Sequence, residues 1–193
     1  MIFRIIALII MAAFYACYFI KMLVQKKRGI KTTQIGSGKT GFVKGVECTM
    51  MVSTYLVVVV EIVSVVMGTT IMPPWMRWLG AGIGVLGVIV FIAAVITMRD
   101  SWRAGVSTTD NTELVTSGIF SISRNPAFLG FDLVYVGILL MFFNWPLFAA
   151  SIFAVLMFHL QIVNVEEDFL LDTFGDDYLQ YRKRVKRYLG RKL

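Results

Sequence analysis

Cysteine is nearly absent from the 193-residue chain: only Cys17 and Cys48 occur, with no C-x-x-C and no Cys/His ligand spacing. Neither a disulfide framework nor a metal site is indicated. Charge is also scarce, at 16% of residues against 58% hydrophobic. The apolar residues come in long runs rather than on one face of shorter segments, which reads as an integral membrane protein. A formal charge of +7 would suit nucleic acid, but the basic residues cluster beside the apolar runs. There they set topology or meet anionic lipid, so nucleic acid is discounted as a partner.

What the chain does contain is a succession of apolar runs, which predicts an all-α, polytopic bundle of about five transmembrane helices with a helical tail. The first run, about Ile2 to Val24, has Arg4 as its only early charge and is followed by no small-residue cleavage site. It is expected to be a retained span rather than a signal peptide. Lys26-Lys27-Arg28 and then Lys31, Lys39 and Lys44 follow, so this loop is assigned to the cytoplasm and the N-terminus to the outside. Gly36-Ser37-Gly38-Lys39-Thr40 resembles the end of a phosphate-binding loop. Thr33 stands where that motif needs glycine and no strand precedes it, so a nucleotide site is rejected.

A second span is expected from about Val46 to Ile71 before Pro73-Pro74, and a third from about Trp78 to Met98. Glu61 within the second should face helices or water rather than lipid. Gly80 and Gly84 in the third share a face that admits close approach of another helix. The segment 99–124 is polar: Thr108 to Glu113 is expected to be a surface loop, and Trp102 an interfacial anchor. Fourth and fifth runs follow, about Ala127 to Phe143 and Leu147 to Val165, and the tail is strongly basic from Arg182 to Lys192. The chain reads as one membrane domain over 1–193, with three spans in 1–98 and a site-bearing core in 99–193. The C-terminus falls in the cytoplasm.

Chemistry is concentrated at two places. Gly118-Ile119-Phe120 leads to Arg124-Asn125-Pro126-Ala127-Phe128-Leu129-Gly130, where a polar loop meets an apolar helix. Pro126 in the first turn leaves free backbone donors and Arg124 adds a fixed charge, which suits a carboxylate or phosphate. At the same predicted membrane face, Glu166-Glu167-Asp168 ends the fifth run. A cationic corner with a carboxylate opposite it fits an amino-acid zwitterion, such as that of S-adenosylmethionine.

These two motifs resemble the membrane methyltransferases typified by isoprenylcysteine carboxyl methyltransferase and phosphatidylethanolamine N-methyltransferase. The resemblance is carried by Gly118-Ile119-Phe120, Arg124-Asn125-Pro126, Phe128, Gly130, Glu166-Glu167, Phe174-Gly175, Tyr178 and Tyr181, roughly Leu114 to Val185. It implies an S-adenosylmethionine pocket against Gly118, Arg124, Asn125, Pro126, Phe128, Gly130, Glu166 and Glu167, with a lipophilic or lipidated acceptor arriving from the bilayer. Two departures matter. Asn125 stands where the eukaryotic pattern has histidine, and Ile162 where the carboxyl methyltransferases have an arginine. Ile162 leads us to expect an amine-bearing, hydroxyl-bearing or neutral isoprenoid acceptor ahead of a prenylcysteine carboxylate. No catalytic residue is identified; His159, Arg103 and Glu61 are the candidates. Two other readings remain at the level of sequence: a sterol-reductase-like membrane enzyme using NADPH, and a non-enzymatic membrane scaffold.

Overall fold

The computed structural model describes residues 1–30, 32–36, 38–103 and 113–191. The loop expected over Thr108 to Thr112 lies outside the described residues, as do Lys31, Ser37 and Lys192. Six helices carry the fold: α1 (Ile2–Lys27), α2 (Gly41–Met67), α3 (Pro74–Met98), α4 (Pro126–Met141), α5 (Trp145–Gln161) and α6 (Glu167–Arg184). Short 3-10 turns occupy Arg99–Ser101 and Gly118–Ser121. Among the described residues there is no strand, only an isolated bridge between Val185 and Arg191.

Four helical runs are long and apolar enough to cross a membrane, and α4 is a shorter apolar helix between them. At ~1.5 Å per residue its 16 residues reach roughly 24 Å. That length suffices because α4 is sheathed by protein. Val134, Tyr135, Ile138 and Met141 on it are fully buried.

Close approach of α3 and α4 explains why the third run is rich in glycine. A methyl group built on Gly137 would lie 2.6 Å from the Gly84 backbone and 2.7 Å from the Gly80 carbonyl. Gly87 meets the Gly130 carbonyl in the same way, at 2.8 Å. The small-residue face expected around Gly80 and Gly84 is therefore a seam against α4. Around it, Ile10 and Phe14 of α1 pack on Phe91 of α3, while Val57 of α2 joins Ala154 and Phe158 of α5.

The helix ends sort into two layers. At one, Arg4 donates to the Met67 carbonyl (3.0 Å), Arg77 to the Met141 carbonyl (2.9 Å) and Asn144 to Ser64 Oγ (2.8 Å). At the other, Gln25 donates to the Trp102 carbonyl (2.8 Å) and Arg28 to Asp100 (2.9 Å).

Two local expectations change. The second helix stops at Met67 rather than Ile71, because Gly68 takes a left-handed conformation (φ 68°). Trp102 is not an interfacial anchor: it is 4% exposed and packs edge-on against Tyr18. The tail is helical as expected, and α5 runs through a π turn (Ile162–Glu166) straight into it as α6. No proline or glycine intervenes until Gly175, where the backbone leaves helical geometry (φ 49°) and bends.

Candidate cofactor and acceptor site

The corner that precedes α4 is shaped by its own sequence. Gly118 takes φ 56°, a left-handed value that favours glycine, and starts the 3-10 turn. Asn125, before proline, sits outside the helical region (φ −133°, ψ 54°), and its N–H is met by Ser123 Oγ at 3.2 Å. Pro126 occupies the first helical turn as expected.

The tail locks this corner in place. Tyr181 Oη donates to the Phe120 carbonyl at 2.7 Å. Beyond α6, residues 185–191 form a strap: Arg124 N–H donates to the Lys186 carbonyl (3.2 Å) and Gly190 N–H to the Ile122 carbonyl (2.7 Å). Asn125 Nδ2 donates to the Arg187 carbonyl at 3.1 Å.

The two adjacent glutamates diverge at the end of the π turn. Glu167 is buried and accepts Arg187 through both oxygens, at 2.7 and 3.0 Å, while Arg124 Nη2 lies 3.0 Å away. Arg124 also donates to Tyr178 Oη at 2.7 Å. Burial alone would raise the Glu167 carboxyl, but the hydrogen bonds from Arg187 and the charge of Arg124 hold it below the usual carboxylate range. Glu166, just past the apolar run, instead faces an internal cavity. It accepts a hydrogen bond from Gln161 Nε2, at 3.3 Å. Burial pushes this carboxyl up, and a cationic group brought beside it would favour its charged form.

The cavity holds about 560 Å³, within the range of small-molecule sites (roughly 300–1,000 Å³). Its polar lining includes Arg103, Arg124, Asn125, Glu166 and Tyr181. Its apolar and aromatic lining includes Tyr15, Tyr18, Met50, Met51, Tyr55 and Phe131 from α1, α2 and α4. Such a site can hold a zwitterionic head beside a lipophile.

Of the residues singled out by sequence, Arg103, Arg124, Asn125, Pro126, Phe128 and Glu166 come together on this cavity. Others do not line it. Gly118 packs against Thr97 and Gly130 against Phe91 and Gly87, so both serve the scaffold. Glu167 is spent on Arg124 and Arg187. Glu61 is fully buried on α2, and both of its oxygens lack a partner among the described residues. His159 is exposed on α5, its Nδ1 2.5 Å from Tyr188 Oη and its ring stacked on that of Tyr188.

Sequence reasoning missed the walls supplied by α1 and α2. The spacing of Tyr15, Tyr18, Phe19 and Met22 marks one helical stripe. Inside an apolar run that stripe differs little from a lipid-facing one. It also passed over Glu47, which is completely buried and accepts Gly36 N–H at 2.6 Å and the Lys39 ammonium. An acid set among Lys39 and Lys44 was the available signal.

The model of the phospholipid methyltransferase family matches residues 75–177. Among curated proteins, the chain is 30% identical over 109 residues to the protein-S-isoprenylcysteine O-methyltransferase of Saccharomyces cerevisiae, covering 55% of this chain and 46% of that one. It is 32% identical over 115 residues to protein-S-isoprenylcysteine O-methyltransferase B of Arabidopsis thaliana, covering 58% and 57%. To the Homo sapiens protein-S-isoprenylcysteine O-methyltransferase it is 29% identical over 113 residues, covering 58% and 40%. The chain thus spans about half the length of the curated relatives it matches. Both the corner at Arg124-Asn125-Pro126 and the glutamate pair at the π turn fall within the matched segment, and the chain belongs to the phospholipid methyltransferase family.

Proposed function

We propose that this protein transfers a methyl group from S-adenosylmethionine to a lipidated acceptor that enters from the bilayer. The observation that carries this reading is the mixed lining of one cavity: a carboxylate, Glu166, and the corner cation Arg124 together with an aromatic wall drawn from membrane helices. The residues fit the cofactor. Glu166 suits its ammonium, and Arg124 Nε, buried without a partner among the described residues, suits its carboxylate. Bound there, the cofactor supplies an electrophilic sulfonium methyl, so a nucleophile held in line gains an O–CH3 bond as S–CH3 breaks. Glu166 and Arg124 orient, the cavity walls exclude water, and positioning supplies much of the acceleration.

The acceptor we favour is the carboxylate of an isoprenylated cysteine. Ile162 argued for an amine or hydroxyl, but it is fully buried away from the cavity, whereas Arg103 lines it. A carboxylate so close to the bilayer needs a cation against its desolvation, and Arg103 is placed to serve. A carboxylate acceptor releases no proton, so it is no obstacle that neither His159 nor Glu61 lines the cavity.

The layer that holds the Arg124 corner also holds Lys26, Lys27, Arg28, Arg99 and the basic strap, against Arg4 and Arg77 at the other. We assign the site to the cytoplasmic side on that asymmetry, with the N-terminus outside. Calorimetry with S-adenosylhomocysteine and, separately, NADPH tests the reading. Binding of the first alone is expected; binding of NADPH alone overturns it in favour of a reductase.

A further inference from the structure

The family match ends at Asp177, and beyond it the strap folds back on itself as a tight basic loop with an apolar tip. Lys186 N–H donates to the Gly190 carbonyl at 2.8 Å and Val185 bridges Arg191, with Gly190 at φ 104° in the turn. Leu189 at the tip is 63% exposed. Gly190 N–H bonds the carbonyl of Ile122, itself 44% exposed, so exposed apolar residues of corner and strap flank one hydrogen bond.

Tyr188 fixes where this tip lies. Its ring stacks on His159 of α5, with centroids 6.0 Å apart. His159 shares a face of α5 with Ile152, Leu156 and Leu160, which are all exposed. On a run long and apolar enough to cross a membrane, such a face meets lipid. The strap therefore has bilayer beside it where α5 reaches the layer of the Arg124 corner. Charge there is of one sign. From Arg182 to Leu193 the sequence has no acid, and Arg182, Lys183, Arg184, Lys186 and Arg191 are exposed. Lys186 lies along the turn, its Cδ 3.6 Å from a methyl group built on Gly190, and Arg191 Nε donates to the Ser121 carbonyl at 3.3 Å.

We propose that the strap is a contact for anionic phospholipid: Leu189 enters the acyl boundary of the cytoplasmic leaflet, Lys186 and its basic neighbours meet headgroup phosphates, and the strap so held steadies the cofactor corner. The leaflet and the last clause rest on the reading of the site given above. Apolar insertion and attraction to anionic lipid reinforce one another at an interface. The corner feels the contact through the strap's own carbonyls, since Arg124 N–H bonds that of Lys186 and Asn125 Nδ2 that of Arg187. Arg124 and Asn125 both line the cavity.

The test puts an environment-sensitive fluorophore on Leu189→Cys in the full chain lacking Cys17 and Cys48. The protein is held in nanodiscs of phosphatidylcholine, alone or with phosphatidylglycerol, that carry a spin-label quencher high on the acyl chain. The fluorophore is expected to be quenched, and more so with phosphatidylglycerol. Lys186→Gln removes one exposed charge and leaves the backbone bonds of the strap in place. It should lower the ratio of quenched to unquenched label about fivefold in anionic discs, the effect of one cation at such a surface, while Lys186→Arg does not. Unquenched label in both lipids overturns the inference and leaves the tip to a soluble partner. Quenching that ignores both phosphatidylglycerol and Lys186→Gln overturns the recognition of anionic lipid. S-adenosylhomocysteine affinity of wild type, measured by calorimetry in the same discs, should be higher with phosphatidylglycerol, and equal affinity overturns the coupling to the corner. Wild type that binds it in neither lipid removes the cofactor reading, whereas quenching that answers to Lys186→Gln still supports the lipid contact.

Discussion

Glu166 and Glu167 are neighbours in sequence with opposite situations, and that contrast yields two predictions. Glu167 bridges Arg124 and Arg187, so Glu167→Gln leaves buried cations unmatched. Breaking a buried pair costs about 3–5 kcal/mol. Because the folded state holds this carboxyl below its ordinary range, its contribution is complete above the unfolded-state range and disappears as pH falls through the lowered value. A thermal-melting series in detergent should show Glu167→Gln well below wild type at neutral pH, with the gap closing in acid. A gap independent of pH contradicts the assignment.

Glu166 is raised by burial, so ionising it costs the ligand-free protein stability that is present at low pH and lost as pH rises past the unfolded-state value. Glu166→Gln should therefore melt at or above the wild-type temperature near neutrality, while S-adenosylhomocysteine binding weakens by about 1.5–3 kcal/mol, the scale of a charge-assisted hydrogen bond. Unchanged affinity in the folded variant takes Glu166 out of the pocket. Sequence placed both glutamates at the site but could not divide their roles. The division is made by the π turn and by Arg187 arriving from 20 residues on.

At the scale of the element, the α3–α4 seam is a close backbone-to-backbone contact. Gly137→Ala puts a methyl group against the backbone of Gly84, where neither side can yield as a flexible side chain would. Overpacking of this kind typically costs about 1–3 kcal/mol. Melting should fall accordingly, and by more than for Gly82→Ala, since Gly82 has open space where a methyl group would go. Equal melting temperatures for the two variants contradict the seam.

Long apolar runs made the helices legible, and Pro126 made the start of α4 legible to within one residue, because a proline in the first turn needs no partner for its missing N–H. Continuity from α5 into α6 was not legible. A π turn has no compositional mark, and three acids in a row look like the start of a tail whether or not the helix continues. The cavity walls were hidden for a different reason. In a membrane helix the stripe facing a ligand and the stripe facing lipid are both apolar, so Tyr15, Tyr18, Met50 and Met51 stood out only once α1 and α2 were seen beside the corner.

For the whole molecule, the two layers of helix ends fix what must share a side of the membrane. A single cysteine placed beside Lys27 or beside Arg184 should be shielded from a membrane-impermeant thiol reagent in intact cells, in a background lacking Cys17 and Cys48, while one beside Pro73 should label. Labelling at Arg184 contradicts the assignment of the site to the cytoplasm. The same architecture brings charged side chains and a membrane-derived aromatic wall into one cavity, and the function proposed depends on both being used at once. The most direct test is methyl transfer itself, with purified protein in lipid nanodiscs, S-adenosylmethionine labelled in its methyl group, and N-acetyl-farnesylcysteine as acceptor. The account predicts a labelled, base-labile methyl ester with wild type, lost in Arg103→Ala while S-adenosylhomocysteine still binds. Wild type that binds the cofactor product yet places no label in this acceptor contradicts the carboxylate assignment, and wild type that neither binds it nor labels any lipid contradicts the account as a whole.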